Sequence, residues 1–203
     1  EAGGRVARAR RVDARHTRHG RNPERTSTPP DAVALKGAVA GLVGGLVGTW
    51  FMSEFQALWS RYVDGYEPRS PGGRHDARDW QEKSEGDNAN EHAAQAMAHQ
   101  TLGRSLSDRE LGIGAPVMHY AFGAGVSAAY GVVAEQASWA TRGSGAGFGT
   151  LVWVAADEIA MPVIGWARPQ RYPISAHLQS FTSHLVFGVT TEVTRRAVRR
   201  LLR

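Results

Sequence analysis

Apolar residues in this chain gather into four long runs separated by polar stretches, and every run contains at least one ionisable side chain. The runs begin at Gly37, Leu111, Gly143 and Tyr172. The first, Gly37 to Met52, continues past Glu54 to Trp59; the second is free of formal charge from Leu111 to Ala134; the third is split by Asp157 and Glu158; the fourth extends from Tyr172 to Thr191. A bilayer core about 30 Å thick takes roughly 20 residues of helix, and each run reaches that length once its polar interruption is included. The pattern predicts an all-α helical membrane protein with about four transmembrane helices. Between the first two spans, Glu91 to Leu106 carries Ala, Met and Leu at helical spacing but is too polar to cross, and reads as a short surface helix in the first external loop.

The composition alone points elsewhere. Mean hydropathy is negative, because an Arg-rich segment over residues 1–35 and a mixed-charge stretch over about 60–110 dilute the apolar runs. The expected organisation is a disordered basic tail over 1–35 and one four-helix transmembrane domain over 36–203. Pro29, Pro30 and Asp31 close the tail, with Asp31 as helix cap. Trp59, Tyr62, Trp166 and Tyr172 are placed to sit at one membrane surface and Trp139 at the other.

Net charge is +5, and eight arginines precede Pro29. The tail has no interleaved aromatics to stack on bases, so nucleic acid is not the expected partner; anionic lipid headgroups are. The basic residues beside the spans put both termini in the cytoplasm by the positive-inside rule, with the long loop and the short turn Arg168 to Arg171 outside. No cysteine is present, which excludes disulfides, thiolate metal sites and cysteine nucleophiles. Nucleotide-binding and zinc-protease motifs are absent from the sequence. Neither an enzyme nor a bound cofactor is expected.

Two features carry candidate chemistry. Gly37, Gly41 and Gly45 recur every four residues on the first span, a stripe that lets a second helix approach closely, within the bundle or from another copy in a homo-oligomer. The second feature is an intramembrane polar cluster of Glu54, His119, Asp157, Glu158, His177 and His184. His119, Gly123 and Tyr130 share one face of the second span; His177, Ser180, His184, Gly188 and Thr191 form a stripe on the fourth. Depth along the helices puts all six ionisable residues between mid-membrane and the outer face, and Pro162 is positioned to break the third span beside them. Ionisable groups at such depths cost about 2.5 to 3.5 kcal/mol on insertion scales and turn inward to partners. A proton or cation pathway, a divalent metal held by His119, His184 and one acid, a haem between two histidines, and plain helix pairing all remain open. Glu192 with Arg195 and Arg196 reads as an interfacial ion pair, and Glu135 as the end of its span.

The segments His119-Tyr120-Ala121-Phe122-Gly123, Tyr130-Gly131-Val132-Val133-Ala134-Glu135, Pro162 with Gly165, and His184-Leu185-Val186 followed by Glu192 and Arg195-Arg196 resemble the YagU-like family of small bacterial inner-membrane proteins over roughly residues 35 to 200. The resemblance implies a multi-pass inner-membrane protein of uncharacterised biochemistry, with a link to acid tolerance and to self-association in one relative. It supplies no catalytic residues.

Overall fold

The computed structural model of the protein describes residues 29–63, 85–166, 172 and 174–202. All regular structure among the described residues is helical. The basic tail before Pro29, the Pro/Gly-rich part of the external loop and the turn at 168–171 lie outside the described residues.

Among the described residues five helices follow in order: α1 (Pro30–Tyr62), α2 (Glu85–Leu102), α3 (Asp108–Gln136), α4 (Ser138–Val163, whose opening 3₁₀ segment is kinked at Arg142, Gly143 and Ser144) and α5 (Ile174–Leu201). The chain is thus all-α, as its periodicity predicts. α1, α3 and α4 are each long and apolar enough to cross a membrane. α5 does not meet that measure alone, for a reason visible in its packing: Ser183, His184, Thr191, Glu192 and Arg195 are all buried against neighbouring helices. A helix that keeps its polar face inside protein can cross where its sequence average says it should not.

Helix ends follow local rules with one adjustment. Pro29 takes the cap position of α1, while Pro30 and Asp31 fall in the first turn, where a missing N–H is no loss and a carboxylate favours the helix dipole. At the start of α3 the Glu110 carboxylate accepts from the Ser107 N–H at 2.8 Å. Arg104, in the α2–α3 connection, forks onto the same carboxylate, which holds its guanidinium above its ordinary pKa.

α1 is the centre of the bundle and packs antiparallel on α3 with one face and on α5 with another. Small residues make both contacts. A Cβ added to Gly37 would lie 2.6 Å from the Gly131 carbonyl oxygen on α3, and one added to Gly44 would lie 2.6 Å from that of Thr191 on α5. Gly41 and Gly45 meet Ser127 and Gly123 of α3, and Gly48 meets Phe187 and Thr191 of α5. Backbones approach this closely only where side chains are absent. α4 closes on α5 the same way, through Gly145 and Gly149 against Gly188 and His184.

The core is therefore small and partly polar: Ala40, Thr49, Ser127, Ser183 and Thr191 are fully or almost fully buried. Large apolar side chains instead face outward, among them Leu42, Leu46, Trp50 and Phe51 on α1 and Leu151 and Ile159 on α4, Leu151 with 65% of its surface exposed. Water does not tolerate such an inverted distribution over a whole bundle; lipid does. The protein is a membrane protein.

α2 refines the expected surface helix. It folds back along the first turns of α3, with Ala94 against Gly114, and the Gln95 amide both accepts from the Leu106 N–H at 2.8 Å and donates to the Leu106 carbonyl at 3.2 Å. Its other face, with His92, Met97, His99 and Gln100, is exposed.

Candidate polar sites at the two ends of the bundle

The antiparallel order sorts the ionisable residues by end. α1 finishes, α3 begins, α4 finishes and α5 begins at one end, which carries Glu54, His119, Asp157, Glu158, His177 and His184. Four of these six meet across the α4–α5 seam. His177 Nδ1–H donates to Glu158 Oε1 at 3.1 Å, and Ser180 Oγ–H donates to Asp157 Oδ2. The His184 ring donates from Nδ1 to the Ser180 carbonyl at 2.9 Å and lies 3.8 Å from Asp157 Oδ2. Asp157 thus sits between a hydroxyl and an imidazole, while Glu158 holds the second imidazole, His177, seven residues and about two turns outward from His184.

Backbone winding allows consecutive acids to serve one seam. Over Val154–Ala160 the α4 helix widens into a π turn, and the Met161 N–H reaches back five residues to the Ala156 carbonyl. Pro162 supplies the cause: in an α-helix its ring would press on the Glu158 carbonyl four residues earlier, and it brings no N–H for that carbonyl. The sequence suggested a break here. The helix instead widens, runs on to Val163 and ends at Gly165, where φ is +79°.

The other two residues of the expected cluster are placed apart from this seam. His119 belongs to the α2–α3 contact, where the Asn90 amide approaches its Nδ1 at 3.4 Å and Tyr120 meets its ring edge-on. Glu54 is exposed on α1. Among the described residues no three His, Asp or Glu side chains converge as metal ligands.

The opposite end holds a denser network than the interfacial ion pair of Glu192 with Arg195 and Arg196 that the sequence suggests. Glu192 is 0% exposed. Its Oε2 accepts from Tyr130 Oη–H of α3 at 2.9 Å and from Arg195 Nε at 2.7 Å; its Oε1 accepts from Arg195 Nη2 at 3.0 Å and from Arg196 Nε at 2.6 Å. Arg195 also reaches Glu135 Oε1 of α3 at 3.2 Å, and Arg199 forks onto the same carboxylate at 2.7 and 2.6 Å. Arg196 donates to the Thr141 carbonyl at 3.1 Å, which ties in the start of α4. Glu135 is therefore a bridge between helices as well as a span end. One sequence signal pointed this way: the α5 stripe through His184, Gly188 and Thr191 continues at helical spacing into Arg195 and Arg199.

Between the two ends lies an apolar layer. Tyr130 stacks on Phe148 with centroids 4.1 Å apart, Phe148 meets Phe187 at 5.7 Å, and Met52 and Val152 complete the buried cluster. Phe187 stands between His184 and Glu192 along α5.

A family described as a protein of unknown function (DUF1440) matches residues 87–193, just over half of the chain. The matched stretch takes in the α4–α5 seam, Tyr130, Glu135 and Glu192, and omits α1 and the arginines after Glu192. No curated protein and no solved structure matches the chain.

Proposed function

Because this chain belongs to the DUF1440 family of proteins of unknown function, we propose its role from its own geometry: a multi-pass protein of the bacterial inner membrane that contributes to acid tolerance, as its likeness to the YagU-like proteins implies. One observation carries the reading, the pairing of His177 with Glu158 and of His184 with Asp157 across a single helix seam. Imidazole is the side chain whose ordinary charge change falls between pH 5 and 8, and carboxylates change charge at lower pH. Two imidazoles set against two carboxylates make this a contact whose strength depends on charge. Acidification is expected to act on the contact of α4 with α5 through these pairs, and the π turn provides a backbone already away from regular winding.

A small proton or cation conduit is the second reading. The alternation of acids, imidazoles and a hydroxyl supports it; the Phe148–Phe187 layer between His184 and Glu192 weighs against it.

The test compares survival of an acid challenge in cells expressing wild type, His177→Gln, His184→Gln or both, at equal membrane levels, with flux in liposomes measured in parallel. Gln keeps hydrogen bonding and removes the basic nitrogen. The acid reading expects survival with wild type and its loss in the double variant, without flux. Equal survival of wild type, double variant and empty vector sinks that reading, and flux abolished by His184→Gln establishes the conduit instead.

A further inference from the structure

The end of the bundle opposite the histidine seam carries more positive charge than its own acids balance. A cleft of about 330 Å³ there is lined by Glu135, Arg195, Arg196, Arg199 and Arg200. Glu192 lies buried behind it, bonded to Arg195 and Arg196. Four guanidinium groups thus face two carboxylates. Arg195 has donors on both acids, whereas Arg199 uses Nε and Nη2 on Glu135 and keeps Nη1. Arg200 is exposed and makes no hydrogen bond or ion pair among the described residues.

We propose that this cleft binds a phosphate oxyanion, the group shared by anionic phospholipid headgroups and free phosphate, and that phospholipid is its source. Guanidinium forks match the oxygen spacing of phosphate, and Glu135 fixes one of them in advance by clamping the far side of Arg199. The position argues for lipid. The cleft lies near the ends of α3 and α5, and exposed Val193 stands seven residues before Arg200, on the same face of α5; a phospholipid seated there lays its chains along the helices with its phosphate at the level of the arginines. Basic pockets between transmembrane helices are suited to such headgroups. The inference is independent of the acid reading, because it uses the other end of the molecule.

The experiment uses the full chain purified in an uncharged detergent, with lipid retention followed by native mass spectrometry and stability by thermal unfolding. Phosphatidylglycerol is expected to be retained and to raise the unfolding temperature, phosphatidylcholine to do neither, and Arg200→Gln to bind phosphatidylglycerol about five-fold more weakly. Arg200→Lys, which keeps the charge without the fork, is expected to fall between them. Arg200 has no partner to lose among the described residues, so its variants are expected to fold. Equal retention of the two lipids, or undiminished binding by Arg200→Gln, overturns the site. Stabilisation by inorganic phosphate as large as that by phosphatidylglycerol overturns lipid as the source.

Discussion

The hydroxyl of Tyr130 on α3 donates to the carboxylate of Glu192 on α5 at 2.9 Å, in a place where Glu192 has no solvent access at all. Two arginines donate to the same carboxylate, so a buried negative charge is met by three partners from two helices. Desolvation makes such a network costly to assemble and more costly to break, since removing one charge strands the other.

Glu192→Ala is accordingly expected to destabilise the protein by about 3 to 5 kcal/mol, because Arg195 stays buried without its main partner. Tyr130→Phe, which removes one hydrogen bond and keeps the ring on Phe148, is expected to cost about 1 kcal/mol. Denaturant unfolding in detergent measures both. Unfolding curves for Glu192→Ala that overlay those of wild type would remove the network from any account of stability.

The glycine contacts give a pair of substitutions with opposite outcomes. Gly44→Leu forces a side chain against the Thr191 backbone, and separation of α1 from α5 is expected, with a loss of 2 kcal/mol or more in rough magnitude. Gly125→Ala on α3 has open space around its Cβ and should be neutral or stabilising by up to about 1 kcal/mol through helix propensity. The same unfolding assay reads both variants, and similar losses for the two would show that the close helix approach is not what Gly44 provides.

Membrane residence follows from the exposed apolar flanks of α1, α3 and α4. The protein is expected to stay in the pellet after alkaline carbonate extraction. Recovery of a folded monomer from the soluble fraction, without detergent, would contradict the inverted packing from which the reading starts.

Orientation is a separate matter, set by charge beside the spans. The start of α1 and the end of α5 share one end of the bundle, with Lys36 on the former and Arg195, Arg196, Arg199 and Arg200 on the latter. The positive-inside rule predicts that this end faces the cytoplasm. Reporters fused at Arg203 should be active only when they require the cytoplasm; activity restricted to an external reporter reverses the bundle.

The amino-acid sequence by itself determined what belongs to one helix at a time. Apolar run length marked α1, α3 and α4 as long enough to cross a membrane, and the 3.6-residue period put Gly37, Gly41 and Gly45 on one stripe and His177, Ser180 and His184 on another, because these are properties of spacing along a single rod. The sequence could not say which stripe meets which. Tertiary packing decided that Asp157 and Glu158 face His184 and His177, through a widening of α4 whose cause, Pro162, is local but whose outcome depends on α5 lying alongside. It decided that His119 belongs with Asn90 and that Glu54 stands apart. It also turned Glu135, Glu192 and Arg195 into one buried network, since residues about sixty positions apart come together only when α3 and α5 end side by side. Hydrogen bonds and ion pairs act over a few ångströms, so partners on different helices are fixed by the fold that brings the helices together.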